Sequence, residues 1–281
     1  MHLNGKWMRL IRLDVRHTFF RMKWLWAIPI YLVVIWFEWD RTFIVPHTGT
    51  MYHAGDILVR SLTNFYAIVF CFSPLFLHLV HDGIQNPGWL GSIFLRSGEI
   101  RIWWLAKAVS VVTTAALVTL SGTVSSTLFA CVALPCTNTW GTATRYPPEG
   151  DIFGFNPAIL HLSPLEAALF ANLLLLLGWF GIGLVSVLVS VVYQSRVAGF
   201  TVAFIILMSG LAAFHAPSSP WQQLFINVHM DLNTHRFGQA ASKWPSMMES
   251  ILYWALWIGI VLFLGLHKLR RTDWFMGGSR S

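Results

Sequence analysis

The chain has 281 residues, of which 56% are hydrophobic and only 11% are charged, and its mean hydropathy is +0.60. Soluble domains usually carry about 25% charged residues, so this composition excludes a soluble enzyme, which needs a water-facing surface. The formal net charge of +7 does not indicate a nucleic-acid partner, because the basic residues flank apolar runs instead of forming one soluble face. We predict an all-α polytopic membrane protein, with the 15 Trp and 21 Phe residues fitting a lipid-facing body.

The first segment, residues 1–23, is predicted to be an amphipathic helix in the inner membrane interface. Apolar residues recur at helical spacing beside a stripe of arginines. The apolar set is Met8, Ile11, Val15 and Phe19, and the basic set is Arg9, Arg12 and Arg16.

Six apolar runs follow and predict about six transmembrane helices within residues 24–268. They are Trp24–Phe37, Ile57–Val80, Trp104–Leu134, Leu165–Tyr193, Val197–Phe214 and Met248–Leu266. The fourth run is preceded by Ser163 and Pro164 and contains Glu166, the residues of a capping box. No internal repeat is evident, so we treat residues 1–281 as one domain that ends in a cytoplasmic tail, 269–281.

The distribution of basic residues predicts the orientation. With the N-terminus inside, 14 of the 19 Lys and Arg residues lie in inner segments and five in outer ones. Because cytoplasmic loops are enriched in Lys and Arg, we expect a multi-pass protein of the cell membrane with both termini in the cytoplasm.

The connection before the last run predicts a short helix in the outer interface. Trp221, Phe225, Val228 and Leu232 are spaced along one helical face. Cys131 and Cys136 flank the outer end of the third run and would pair if that side is oxidising, but two free thiols are the favoured interpretation.

Two groups of histidines are candidate metal sites, and the favoured interpretation of each is structural. His78, His81 and Asp82 end the second run, where polar caps are common. His229, Asp231 and His235 lie in the predicted outer helix, where copper or zinc is conceivable. Phosphate-binding loops, zinc-protease helices and nucleophilic-serine motifs are absent from the sequence.

Ionisable residues are nearly absent from the predicted spans, so a proton relay is not expected. The main polar residues are expected to form hydrogen bonds between helices. They are Thr113, Thr114, Ser121, Asn172, Ser186 and Ser190.

The connection between the second and third runs predicts a docking element for a partner protein. It combines an apolar set with charged residues, which a simple connecting loop would not need. The apolar set is Trp89, Leu90, Ile93 and Phe94, and the charged set is Arg96, Glu99, Arg101 and Lys107.

This stretch resembles the six-helix type-2 ABC exporter permeases. In that family an acidic residue after the second span leads into a short cytoplasmic coupling helix and then a basic segment with the form L-x-R-S-x-x-R-x-x-W-x-x-K. This sequence matches that pattern loosely, at Asp82, Leu95-Arg96-Ser97, Arg101, Trp104 and Lys107. The Gly98-Glu99 pair departs from the family pattern, which leaves the register of the coupling helix open.

The resemblance implies a permease subunit that forms a translocation path with a second, identical or related, permease in the membrane lipid. Separate ATPase subunits would bind ATP and Mg²⁺ and contact the coupling residues Asp82, Trp89, Leu90, Ile93, Phe94, Arg96, Glu99 and Arg101. The chain itself would hold no cofactor, catalyse no bond chemistry and bind no nucleic acid. Residues facing the path are expected from the second and fifth spans.

Two alternatives remain. One is a carrier or metal-dependent intramembrane enzyme that works alone, using His229, Asp231 and His235. The other is a membrane scaffold without transport.

Overall fold

A computed structural model of the protein describes residues 27–44, 51–82, 100–146, 156–215, 220–237 and 244–271. All regular structure within these ranges is helical. The α-helices are α1 (Ala27–Ile44), α2 (Ala54–Thr63), α3 (Phe65–Ala67), α4 (Ser73–Asp82), α5 (Ile100–Ala133), α6 (Thr142–Arg145), α7 (Pro164–Val192), α8 (Arg196–His215) and α9 (Met247–Arg271). The predicted interfacial helix at 1–23 and the predicted coupling helix within 83–99 lie outside the described residues.

Three helices, α5, α7 and α9, are long and apolar enough to cross a membrane. A fourth candidate is the bent pair formed by Ala54–Thr63 and Phe65–His81, whose axes differ by 50°. Apolar stretches of α1 and α8, Pro29–Glu38 and Arg196–Leu211, are shorter. The all-helical membrane protein expected from composition is therefore supported, and the described part of the chain contains three or four candidate spans. The prediction of six spans is not confirmed by these residues.

The central helix is α7, which packs against α8, α9, α5 and α2. Its glycines allow this, because a Cβ at Gly181 would overlap the Trp254 ring and one at Gly183 would overlap Val111 and Phe76. Large side chains from neighbouring helices thus pack directly on the α7 backbone.

The start of α7 confirms the capping box. Ser163 Oγ accepts a hydrogen bond from the Glu166 amide at 3.4 Å, and the Ser163 amide donates to Glu166 Oε2 at 2.8 Å. Pro164 occupies the first helical position, where its missing N–H costs nothing. The start of this helix was therefore predictable from its local sequence.

The hydrogen bond from Thr123 Oγ1 to Asn172 Oδ1, 2.7 Å long, joins α5 to α7 as expected. The hydroxyls of Thr113 and Thr114 instead donate to carbonyls four residues earlier in their own helix. Only part of the predicted polar set therefore links helices.

The cysteine hypothesis needs correction. Cys131 and Cys136 form a disulfide, with Cα atoms 5.2 Å apart, whereas two free thiols were favoured from the sequence. The difference arises at the end of α5, where the helix stops at Ala133 and the chain turns through Pro135. That turn brings Cys136 back beside the last helical turn.

Candidate functional site at a broken helix

The helix that begins at Ala54 breaks at Asn64, which has an extended backbone with φ −72° and ψ 104°. Asn64 bridges the break, because its Oδ1 accepts from the Ala67 amide at 2.9 Å while its Nδ2 donates to Glu38 Oε1 on α1. A discontinuous helix inside an apolar bundle exposes main-chain polar groups, and such breaks commonly form substrate or ion sites in transporters.

Three ionisable side chains are buried in the helices around this break, contrary to the expectation that the helices would nearly lack such groups. Glu38 lies on α1, and Asp56 and Arg60 lie on α2, with exposed fractions of 3%, 0% and 7%. Glu38 and Asp56 lie just outside the predicted runs, which end at Phe37 and begin at Ile57. In the structure α1 continues to Ile44 and α2 starts at Ala54, so both residues become helical and packed.

Asp56 ties the start of α2 to the loop before α6. Its Oδ2 accepts from the His53 amide at 2.5 Å and from the Gly141 amide at 3.1 Å. Two main-chain donors satisfy this buried carboxylate, which explains its position without a cation.

A π-helical turn, Ile68–Phe72, follows the break and restores the helix that ends as α4. Single π-helical turns often lie at functional sites. A small void lies beside this turn, and its lining joins the broken helix, α8 and the α8–α9 connection. The lining residues are Phe65, Ile68, Val69, Leu207, Asn227, Met230 and Asp231.

The α8–α9 segment, residues 220–237, is not the single helix predicted from the sequence. It forms three short 3-10 turns, Pro220–Leu224, Ile226–His229 and Leu232–Thr234. Val228 and Leu232 are buried, but Trp221 is 69% exposed, so the four apolar residues do not share one face. The segment packs into the bundle because its own polar groups find partners there.

Hydrogen bonds hold the α8–α9 segment against three helices. Asn227 Nδ2 donates to the Leu207 carbonyl on α8 at 2.9 Å, and Trp254 Nε1 on α9 donates to the His229 carbonyl at 2.9 Å. Asn233 Nδ2 donates to the Thr63 carbonyl at 3.2 Å, a main-chain acceptor at the helix break. The segment thereby supplies a hydrogen-bond donor to the main chain at the helix break. This explains why the break and the irregular α8–α9 segment lie together.

The void contains one polar atom without a partner. Asn227 Oδ1 is buried and accepts no hydrogen bond, although the Nδ2 of the same side chain is satisfied. Asp231 lines the same void, and burial raises the pKa of its carboxyl to about 7. A group that carries protons near neutral pH therefore lies beside an unoccupied acceptor.

The predicted metal set His229, Asp231 and His235 is not assembled as three converging ligands. Both imidazoles face one hydroxyl, with His229 Nδ1 and His235 Nε2 at 2.8 and 2.7 Å from Ser250 Oγ. The Asp231 carboxylate instead accepts from the Asn233 amide at 2.9 Å and lines the void. Groups of three or more potential metal ligands do not occur among the described residues.

The two histidines that precede the predicted coupling loop, His78 and His81, do not lie in one site. His78 is exposed, whereas His81 is buried with its Nε2 2.6 Å from Ser186 Oγ on α7. Ser186 Oγ donates to the Gly199 carbonyl at 3.0 Å, and Ser190 Oγ lies 3.4 Å from His81 Nδ1. His81 thus joins α4 to α7 and α8, and the pair is not a shared metal site.

The predicted coupling residues are only partly described. The Asp82 backbone ends α4, and Arg101 is exposed in the first turn of α5. Trp89, Leu90, Ile93, Phe94, Arg96 and Glu99 lie outside the described residues. The helices α4 and α5, which precede and follow this loop, both pack against α7.

Sequence reasoning missed Asn64, Asn227, Asn233 and Ser250. The signal for Asn64 was available, since an Asn in an apolar run can cap a new helix. The roles of Asn227, Asn233 and Ser250 depend on contacts with distant residues, so no local pattern marks them.

No protein-family model, curated protein or solved structure matches this chain.

Proposed function

We propose that this chain is the membrane-spanning permease subunit of an ATP-driven exporter. The observation that carries the permease assignment is the broken helix at Asn64, whose polar groups meet those of the α8–α9 segment inside an apolar helical bundle. Continuous helices satisfy their own main-chain groups, so a break surrounded by buried polar side chains is favoured where a path or a binding site is needed.

The position of the void supports the same proposal. Phe65 and Ile68 belong to the second predicted span and Leu207 to the fifth, which are the two spans from which path-facing residues are expected. A rearrangement of the break or the π-helical turn would enlarge this void without disrupting the long helices α5 and α7.

The ATP-driven part of the proposal depends on the coupling loop. The family resemblance of Asp82, Leu95–Ser97, Arg101, Trp104 and Lys107 implies separate ATPase subunits and a second permease as partners. In this proposal Trp89, Leu90, Ile93 and Phe94 fill a groove on the ATPase, and Arg96 and Glu99 line its polar edge. The chain binds no nucleotide and hydrolyses no ATP itself.

The disulfide supports the proposed orientation in the cell membrane. Cys131 and Cys136 lie at the end of α5 that the basic-residue distribution places outside, and disulfides persist on the oxidising side of a membrane. In this arrangement residues 83–99 face the cytoplasm.

The test is co-purification of an ATPase with the tagged full-length chain from its native membrane. Phe94→Ala and Arg96→Glu should each reduce the amount of bound ATPase, because truncating a large anchor commonly costs about 2 kcal/mol, more than tenfold in affinity. Tyr146→Ala is the matched control, since Tyr146 is 75% exposed and directly follows α6, outside the predicted coupling loop.

Normal recovery of the ATPase with both loop variants would contradict the coupling role of the loop. The absence of any ATPase from preparations in which the chain remains folded would contradict the exporter assignment.

A carrier that works alone is the second candidate, and the buried Glu38, Asp56 and Arg60 favour it. The purified chain in liposomes distinguishes the two functions. Transport driven by an ion gradient without ATPase would favour the carrier, whereas transport that requires ATP and the co-purified ATPase would favour the exporter.

A further inference from the structure

The two imidazoles of the α8–α9 segment share a single serine, and their hydrogen bonds form a continuous chain. His229 Nε2 lies 2.7 Å from the Gln223 carbonyl, and His229 Nδ1 lies 2.8 Å from Ser250 Oγ. His235 Nε2 lies 2.7 Å from the same Oγ, and His235 Nδ1 lies 2.8 Å from the Asp231 carbonyl. All four contacts have hydrogen-bond length.

The two carbonyls at the ends of the chain fix the tautomers of the neutral rings. A carbonyl only accepts, so His229 must carry its proton on Nε2 and His235 must carry its proton on Nδ1. The other nitrogen of each neutral ring is then an acceptor, and both acceptors face Ser250 Oγ.

Ser250 can satisfy only one of them, because a hydroxyl donates a single hydrogen bond. Two neutral imidazoles and one hydroxyl supply three protons for four contacts. One contact therefore brings two lone pairs together inside the protein, where an unsatisfied polar atom is costly. A single additional proton on either ring supplies the missing donor.

We propose that His229, Ser250 and His235 form a proton-binding site that takes up one proton, shared by the two imidazoles, when the surrounding solution is acidified. All three side chains are buried, with exposed fractions of 4%, 0% and 0%. Gln223, whose carbonyl ends the chain of hydrogen bonds, is an exposed residue.

Burial opposes proton uptake at this site, whereas Glu249 and the Tyr253 ring favour it. Burial lowers the pKa of both histidines, that of His235 to about 4, so the site is empty at neutral pH and loads in acid. Glu249 on α9 favours the charged form of both rings, and its carboxylate also pairs with Arg236 at 2.8 Å. The Tyr253 ring stacks on His229 with centroids 3.9 Å apart, which stabilises a cation.

Repulsion limits the site to one proton. A charge on one ring disfavours a charge on the other, since both nitrogens contact the same oxygen. Burial raises the pKa of the Asp231 carboxyl to about 7, so that group is neutral over much of the acidic range in which the imidazoles titrate. The imidazole chain therefore acquires a net positive charge beside Glu249 in acid.

The experiment is nitrogen NMR of the full chain in lipid nanodiscs, with ¹⁵N-labelled histidine and a titration from about pH 8 to about pH 2.5. His229→Gln and His235→Gln assign the two ring signals. We expect neutral rings at the upper limit, with protons on Nε2 of His229 and Nδ1 of His235. On acidification the pair should gain one proton in one step, with both rings responding.

Ser250→Ala removes the shared acceptor of the additional N–H group. The midpoint of proton uptake should move to lower pH by about one unit, a tenfold loss of proton affinity, as expected for one lost hydrogen bond. Ser209→Ala on an exposed part of α8 is the matched control and should leave the midpoint unchanged.

The proposal is overturned if the two rings titrate independently and gain two protons, or if neither ring gains a proton over the range. It is also overturned if Ser250→Ala leaves the midpoint where the wild type has it. The wild-type titration decides the proton count by itself, so the proposal remains testable if Ser250→Ala fails to fold.

Discussion

Two buried histidine clusters in this protein contain the same residue types in opposite proportions. Near the end of α4 a single imidazole, His81, contacts two serines, Ser186 and Ser190. In the α8–α9 segment two imidazoles, His229 and His235, contact one serine, Ser250. The α4 cluster joins three helices, α4, α7 and α8, whereas the second cluster fixes an irregular connection to the start of α9.

The proportion of hydroxyls to imidazoles decides whether each cluster is complete. Ser186 donates to the Gly199 carbonyl and Ser190 donates to the Ser186 carbonyl, so a neutral His81 can donate its one N–H from Nε2 to Ser186 Oγ at 2.6 Å. The other ring nitrogen, Nδ1, lies 3.4 Å from Ser190 Oγ, so each short contact in that cluster has its own donor. The cluster around Ser250 lacks one donor, and for that reason we assign a structural role to the first and a proton-binding role to the second.

The largest expected effect is the loss of close packing in the α4 cluster. Gly199→Ala places a methyl group against Ser190 Oγ and the Ser186 carbonyl, and the main-chain atom cannot move aside. We expect the free energy of unfolding in detergent to fall by about 3 kcal/mol. Thermal unfolding of the purified variant measures the change.

Gly259→Ala on α9 is the matched control, because a Cβ there meets no atom within 4 Å. It should leave stability unchanged or raise it slightly, since alanine favours the helix. Equal stability of the two variants would contradict the close approach of α7 and α8 at Gly199.

The second prediction separates two opposing pH effects in the α8–α9 segment. The pKa of Asp231 is raised by burial to about 7, so its contribution to stability is greatest in acid and is lost as pH rises from about 4 to about 7. The pKa of His235 is lowered by burial to about 4, so its contribution is present above about pH 6.5 and is lost as pH falls toward 4. The two effects partly cancel in the wild type.

Asp231→Asn removes the first effect and leaves the second. The melting temperature of this variant should therefore fall more steeply than that of the wild type as pH decreases from about 6.5 to about 4. Asp40→Asn, at an exposed position on α1, is the control and should keep the wild-type profile. Parallel profiles for Asp231→Asn and the wild type would show that this carboxyl is not buried.

A third prediction compares the two serines that contact the histidine clusters. Ser186→Ala removes a donor to the Gly199 carbonyl and an acceptor for His81, and we expect a loss of about 1 to 2 kcal/mol that changes little with pH. The loss caused by Ser250→Ala should instead grow on acidification, when the additional proton needs that acceptor. Unfolding curves at neutral and acidic pH test this difference, and equal pH dependence would remove the distinction between the clusters.

The smallest expected effect concerns the ion pair beside the proton-binding site. Arg236 Nη2 lies 2.8 Å from Glu249 Oε1, but both side chains are substantially exposed. Arg236→Gln should cost less than about 0.5 kcal/mol, and the cost should vanish at high salt. A larger, salt-independent loss would place this pair inside the protein, contrary to its exposure.

The sequence by itself determined the class of the protein and the positions of its long helices. Apolar runs of about 20 residues with few charges are sufficient for this, because lipid requires each helix to satisfy its own main-chain groups. The start of α7 was also predictable from the local sequence, because Ser163 and Glu166 form a capping box and Pro164 occupies the first helical position. The coupling loop and the ATPase partner remain predictions from resemblance.

Only the tertiary structure decided which polar residues meet. Asn233 reaches the Thr63 carbonyl from a position 170 residues away in the chain, and His81 reaches Ser186 across 105 residues. Sequence spacing grouped His229, Asp231 and His235 as one metal site, but the 3-10 turns direct the Asp231 carboxylate to the void and both imidazoles to Ser250. Hydropathy averages over a run and so conceals an individual buried ionisable residue such as Arg60, whose burial depends on what packs against its helix.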